Sequence, residues 1–309
     1  MRAFIQKRAQ LLAILALMGL CLPWLSSWTS EEGGTGAWIV DLATHWQWLY
    51  WAGLVVFGAL AVWADRRWVL LALALPLPWI TASPAAPWAN APTGTISVLS
   101  ANLHLDTTDP EPLRKRLAQF SPDVVVLLEL SRSYAAGLQD FSEYPHRVLA
   151  PEDGPFGIGV LSRHPLRHSA VQRDEEGIPH VILDVMHEGQ LVRLAAVHPM
   201  PPISAAYRQK RDVRLLQVAE DMAQEGVPSI IAGDFNTTPW SSAFLALDMK
   251  GFRRAGGLEG TWPATLGPAG LPMDQVLVNE YWEVGSHEVL DGIGADHRAV
   301  LTSLQLRSR

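Results

Sequence analysis

"IIAGDFNTTP", residues 230–239, decides how the chain is read. Apolar and small residues run into Gly233, Asp234 and Asn236 follow two apart, and a Thr-Thr-Pro turn closes the stretch. A buried strand that stops at a carboxylate and an amide presents two polar groups at its mouth. Residues i and i+2 of a strand face one side, so Asp234 and Asn236 point together if extension persists through Phe235. A carboxylate there can take a proton or orient a water. An amide can hold a phosphoryl oxygen without adding negative charge.

The same placement recurs along the C-terminal two-thirds. Short β-rich or apolar runs at 96–99, 123–130, 157–163, 180–186, 191–198, 229–236, 273–279 and 299–306 predict seven or eight strands. Helical spacing falls at 110–120, with Leu113, Leu117 and Phe120 on one face, and at 205–226, closed by Gly226. Helices alternate with strands early and strands follow one another later, which predicts a layered α/β sandwich. Asn102, Glu129, His198, Asp274 and the pair Asp296-His297 each stand at the edge of one of these runs. Singly, each reads as a turn or cap residue; together they supply carboxylates, amides and imidazoles at strand ends that can share one rim. Hard oxygen donors with no cysteine in this part favour Mg²⁺ or Mn²⁺ over a thiolate zinc site. Arg208, Arg211 and Arg214, on the helix at 205–226, read as a solvated face, with one of them facing substrate as the alternative.

The rest of the chain differs in kind. Of 309 residues, the first 85 are the richest in Leu, Ala and Trp. Uncharged runs cover Ala9–Trp28 and His45–Ala64, and a third starts at Trp68 and is interrupted by Pro76 and Pro78. About 20 residues cross a ~30 Å hydrocarbon core, and Trp residues stand at the ends of all three runs, as an aromatic belt requires. About three transmembrane helices are therefore expected: an anchor at 1–81, a Pro- and Ala-rich linker at 82–95, and the strand-and-helix domain at 96–309. The first run also has the basic start of a signal peptide, but it is long for one. Arg2, Lys7, Arg8, Arg66 and Arg67 flank the spans on one side, while the loop between the first two runs carries Glu31, Glu32 and Asp41. The positive-inside rule puts the basic loops in the cytoplasm, and three crossings leave the domain outside the inner membrane. If the third run does not cross, the domain faces the cytoplasm. A net charge of −7 argues against a broad basic nucleic-acid face, though not against a local basic groove. The single cysteine, Cys21, excludes an intrachain disulfide.

Over about 95–306 the motifs "SANLH", "PDVVVLLE", "GVLSR", "AVHPMPP", "GDFNTTP", "TWP", "MDQVLV" and "ADHRAV" occur in an order that resembles the endonuclease/exonuclease/phosphatase superfamily, the fold of deoxyribonuclease I. The resemblance implies a four-layer α/β sandwich, two packed and mainly antiparallel sheets flanked by helices. It implies a divalent metal held by Glu129 and Asn102 with Asp296 at the metal side. It implies that Asp234 orients or deprotonates the attacking water, that Asn236 and His198 contact the phosphate, and that Asp274 and His297 form an Asp–His pair. The general base is left open within that cluster. Two positions depart from the family pattern: His104 stands where many relatives have an acid, which bears on a second metal, and Gln275 stands where many have His.

The head-plus-domain architecture resembles bacterial membrane phosphatases of the teicoplanin-resistance type, which implies a phosphate-containing substrate on a lipid carrier and the bilayer as partner. The expectation is a membrane-anchored, metal-dependent phosphoesterase. A membrane-tethered nuclease and a non-catalytic binding module on the same fold remain the alternatives. Trp240 and the "PMPPI" loop are placed either to lean on lipid or to pack.

Overall fold

A computed structural model describes residues 2–29, 34–89, 95–223 and 226–307. Glu31, Glu32 and residues 90–94 of the expected linker lie outside the described residues. The chain divides into two compact units: 1–83 joined by 202–209 and 238–245, and 84–201 joined by 210–237 and 246–309.

The first unit is helical. α1 (Arg2–Leu20) and α2 (Leu22–Trp28) meet at a 42° bend, where Pro23 enters the first turn of α2 without an N–H to donate. α3 (Thr35–Thr44) and α4 (Gln47–Ala64) follow, then a 3₁₀ helix (Arg66–Ala74) and the short α5 (Leu77–Thr81). Among the described residues, α4 alone is a single helix long and apolar enough to cross a membrane, and α1–α2 qualifies if the bent pair is one span. The third expected helix does not form. Pro76 and Pro78 break it, each removing a backbone donor and crowding the preceding turn.

The broken run nevertheless retraces α4 from end to end. Trp68 and Val69 share an apolar groove with Val62 and Trp63, and Leu71 and Leu75 share it with Leu54. Further along, the Trp51 indole donates to the Leu75 carbonyl at 3.0 Å, and the Trp48 and Trp79 rings stand 5.2 Å apart. α1 also runs antiparallel to α4: Gln47 Nε2 donates to the Gly19 carbonyl at 3.1 Å, and a Cβ on Gly19 would overlap the Tyr50 ring. Lys7, Arg8, Arg66 and Arg67 therefore fall toward one end of this bundle, and Leu20, Gln47 and Trp79 toward the other. The inserted segments join that second end. The Trp38 indole donates to the Pro202 carbonyl at 2.7 Å, and His45 Nδ1 meets Thr238 Oγ1 at 2.9 Å. Trp240 is buried, its indole N–H on the Pro78 carbonyl at 2.7 Å and its ring edge-on to Trp48.

The second unit contains two six-stranded sheets. Its elements are β1 (Thr95–Asn102), α6 (Glu111–Phe120), β2 (Val124–Leu128), α7 (Arg132–Gly137), β3 (His146–Ala150), β4 (Ile158–Ser162), β5 (Leu166–Arg173), β6 (Pro179–His187), β7 (Gln190–Val197), α8 (Ala205–Met222), β8 (Ser229–Asp234), α9 (Ser242–Met249), β9 (Arg253–Arg254), β10 (Asp274–Val278), β11 (Trp282–Leu290) and β12 (Ala299–Leu306). α8 and α9 each begin in a segment that belongs to the helical unit. One sheet is ordered β11-β12-β1-β2-β4-β3 and the other β5-β6-β7-β8-β10-β9. Each holds one parallel pair, β1 with β2 and β7 with β8, and is otherwise antiparallel. The parallel pairs follow from their connections, since α6 and α8 are the crossovers that parallel neighbours require.

The continuous apolar runs have a physical reason. Along β2, Val124, Val126 and Leu128 pack between the sheets against residues such as Leu183, Leu194 and Ala232. Val125 and Leu127 face outward, where Leu113 and Leu117 of α6 cover them. A strand buried on both faces loses the apolar–polar alternation. The architecture is an α/β sandwich of two mixed, mainly antiparallel sheets flanked by helices.

Candidate active site

In each parallel pair both strands deliver their C-terminal ends to one rim. β1 ends at Asn102, and Glu129 directly follows β2; His198 directly follows β7, and β8 ends at Asp234. β10 runs antiparallel to β8 with Asp274 opposite Asp234, so its first residue reaches the same rim. His297 lies two residues before β12.

Local sequence makes this convergence sterically possible. Val197 and Gly233 are register partners, and a Cβ on Gly233 would overlap the Val197 carbonyl oxygen. Only glycine lets β7 and β8 close one residue short of His198 and Asp234. Glu129 takes φ +54° and Asn236 φ +50°, a region disfavoured for residues with a Cβ. Both strained residues carry site side chains, as is common where geometry is held for function.

The strand does not continue through Phe235. β8 stops at Asp234, and the Asn236 N–H turns back onto Asp234 Oδ1 at 2.8 Å. Asp234 and Asn236 thus form an Asx-type turn instead of a shared strand face. The Asn236 amide nitrogen donates to the Pro199 carbonyl at 3.0 Å, tying this loop to the one after His198. Asp234 divides its work between two oxygens. Oδ1 holds the turn, while Oδ2 accepts from Asn102 Nδ2 at 3.2 Å and lies 3.7 Å from both His198 Nε2 and His297 Nε2. At 3.7 Å neither imidazole is hydrogen-bonded to it.

Asn102 also donates to Glu129 Oε1 at 2.9 Å, and Glu129 Oε2 accepts from the Leu105 N–H at 2.8 Å. The structure therefore brings Asn102, Glu129, Asp234, Asp274, His198 and His297 into one connected cluster. Asp296 stands at its exposed margin, accepting from the Trp262 indole at 3.1 Å with His104 Nδ1 3.3 Å away.

His297 Nδ1 meets Asp274 Oδ2 at 2.8 Å, and Asp234, Asp274 and His297 are all buried. Burial alone would discharge the imidazole, but the Asp274 and Asp234 carboxylates outweigh it and push its pKa up to about 10. Burial raises the Asp274 carboxyl, with Asp234 adding to it and His297 opposing. His297 thus stands as a cation beside two carboxylates. Glu129, Asp234 and Asp274 set against one imidazolium leave negative charge uncompensated, and no thiol lies in this unit. That donor set fits a hard divalent cation.

Two flanking rings belong to the same neighbourhood: Phe156, 5.7 Å from His198, and Trp262, 6.2 Å from His297. The arginine reading is corrected. Arg208 and Arg211 are buried, and Arg214 is only 18% exposed beside Asp174. Arg211 donates to the Asn236 carbonyl at 3.0 Å and so supports the Asp234–Asn236 turn. Helical spacing carries no signal for this, because a basic residue on an amphipathic helix ordinarily faces solvent. His180, which no motif marks, is buried in a cavity with His198 and Arg214; burial and the Arg214 charge push its pKa down to about 4, so it is neutral at physiological pH.

Residues 99–297 match the profile of the endonuclease/exonuclease/phosphatase family. The chain belongs to that family, and fold and site together define a hydrolase of phosphoester bonds. The family is generally dependent on a divalent metal. Solved structures share the fold. A humanized D. rerio TDP2 is 21% identical with a TM-score of 0.58, over 69% of this chain and 100% of that one. A family member from Beutenbergia cavernae is 22% identical with a TM-score of 0.58, over 69% and 72%. The 3′ phosphatase NExo from Neisseria, bound to a product DNA hairpin, is 17% identical with a TM-score of 0.55, over 69% and 100%. Among curated proteins, none matches the chain.

Proposed function

We propose that this protein is a membrane-anchored phosphoesterase, dependent on Mg²⁺ or Mn²⁺, that hydrolyses a lipid-linked phosphate ester, phosphodiester or pyrophosphate on the extracytoplasmic side of the inner membrane. The observation that carries the chemistry is the set of groups gathered around Asp234 Oδ2: an amide and two imidazoles, one of them held as a cation by Asp274. Glu129 and Asn102 would hold the cation, with Asp296 at the margin. When bound, it polarises the phosphoryl oxygen and offsets developing charge. Asp234 orients or deprotonates the attacking water. His297, already protonated, donates from Nε2 to a phosphoryl oxygen, and His198 does the same or assists the leaving group. The second N–H of the Asn236 amide contacts the phosphate.

The anchor reading rests on the helical unit. α4 and the retracing run carry exposed large apolar residues, among them Leu49, Val56, Leu60, Trp63, Leu70 and Leu73. Because the broken run returns along α4, the reading for 1–81 keeps three crossings, with α4 and the bent α1–α2 pair as the two of sufficient length and apolarity. The basic residues at one end then mark the cytoplasmic side. A C-terminal alkaline phosphatase fusion tests this; an inactive fusion paired with an active cytoplasmic reporter would reverse the sidedness.

A nuclease is the second reading. Its support is that D. rerio TDP2 has been solved with a single-strand DNA product and NExo with a DNA hairpin. The detergent-solubilised chain should release phosphate from polyprenyl pyrophosphate with Mg²⁺ and not with chelator. Rapid cleavage of DNA or RNA with no phosphate from the lipid would reject the lipid substrate and favour the nuclease.

A further inference from the structure

A second group of ligand-bearing side chains lies at the other rim of the sandwich. Asp123 immediately precedes β2, whereas Glu129 immediately follows it, so a strand length of about 17–20 Å separates them. His164 lies just beyond β4, the antiparallel neighbour of β2, and His187 is the last residue of β6 in the other sheet. One ligand atom from each of Asp123, His164 and His187 falls within a 4.8 Å sphere of mutual distances.

We propose that Asp123, His164 and His187 form a structural site for a zinc-class divalent cation that clamps the two sheets together, independent of the hydrolytic site. His164 Nε2 lies 2.8 Å from Asp123 Oδ1 and 3.4 Å from His187 Nδ1, with the two rings edge to face at 84°. Two ligands bonded at about 2.05 Å to a tetrahedral zinc stand roughly 3.3 Å apart, so the imidazole pair already has the spacing of a shared metal. Hydrogen bonding explains the cluster poorly. A single N–H on His164 Nε2 cannot serve both Asp123 Oδ1 and His187 Nδ1 well.

Hydrogen bonds around the cluster fix the Asp123 carboxylate and the backbone that carries the two histidines. Asp123 Oδ2 accepts from the Ser97 N–H at 2.8 Å and from Ser97 Oγ at 2.6 Å, which aims Oδ1 at His164. Ser162 Oγ accepts from the His164 N–H at 3.0 Å and donates to its carbonyl at 2.8 Å, fixing the turn. The Met186 N–H donates to the Pro165 carbonyl at 2.9 Å, drawing the end of β6 onto that turn. His187 is buried, while Asp123 and His164 keep 22% and 28% exposure, which admits an ion and a water as fourth ligand. Two imidazoles and one carboxylate suit zinc and disfavour Mg²⁺ or Ca²⁺.

The test uses the full-length chain in detergent, stripped with chelator and carrying Glu129→Gln to weaken the hydrolytic metal site. Zinc should bind at one equivalent and, at a hundred times its Kd, raise Tm by about 5–10 °C. Cobalt should give the visible bands of a tetrahedral ion. His187→Gln and His164→Gln should each abolish the Tm rise and the cobalt bands while keeping the wild-type circular dichroism. Asp123→Asn, which keeps the contact to Ser97, should weaken both. Unchanged zinc binding in His187→Gln and His164→Gln, or no Tm rise in the parent, overturns the proposal. Because Mg²⁺-supported hydrolysis in the Glu129 parent sequence is measured separately, failure of either reading is told apart from failure of the other.

Discussion

The sandwich carries two Asp–His clusters at opposite rims, and the same residue types are set to different tasks. At one rim, Asp234, Asp274 and His297 are all buried, and two carboxylates share one imidazole. At the other, Asp123 meets two imidazoles and two of the three side chains remain partly exposed. A histidine between two buried carboxylates becomes a fixed cation suited to a phosphoryl oxygen. A carboxylate grouped with two histidines supplies the mixed oxygen and nitrogen donors that suit a borderline metal. The ratio of acids to imidazoles, together with burial, decides between them.

The largest test of this contrast is Asp234→Asn. It removes the carboxylate oxygen that faces both imidazoles, and should lower kcat on the order of 10²–10⁴-fold with unchanged circular dichroism. Near-normal phosphate release would show that Asp234 has only its turn-holding role. Next in size, Glu129→Gln should raise the half-saturating Mg²⁺ concentration by at least the roughly 10–100-fold that even outer-shell changes cost. A magnesium titration of activity reads this directly, and an unchanged midpoint would remove Glu129 from the metal site.

Arg211→Met should destabilise by about 1–3 kcal/mol, because the half-buried Asn236 carbonyl loses its donor. Denaturant unfolding measures that loss, and a change under a few tenths of a kcal/mol would make Arg211 incidental to the turn. A smaller, pH-dependent effect follows from His297. Its pKa rises on folding from the ordinary 6.5 to about 10, so folding takes up a proton. The stability it contributes is complete below about pH 6.5 and is lost as pH rises through 10. The wild type should lose Tm between pH 7 and 10, and His297→Gln should flatten that part of the profile. Smallest of all, His187→Gln should leave Mg²⁺-supported hydrolysis in zinc-free buffer unchanged, since it lies at the far rim.

The strands that the sequence pattern does not mark are β3, β5, β9 and β11, which are the four sheet edges. β5 shows why: all but its first residue is exposed, so it has no apolar run to find. The central strands are buried on two faces and their composition shows it. The site was legible for a related reason. A polar residue that bounds an apolar run is visible as an interruption: Asn102, Glu129, His198 and Asp234 close one, and Asp274 opens one.

The central strands and the order of their polar ends are written in the sequence, because apolar burial and strand termination are local in the chain. Tertiary structure alone decided three things: that Arg211 is buried under Asn236, that a proline-broken run still retraces α4, and that His164 and His187 meet across two sheets. Each depends on partners far away in the chain, and no local pattern of spacing or hydropathy encodes which distant backbone will supply them.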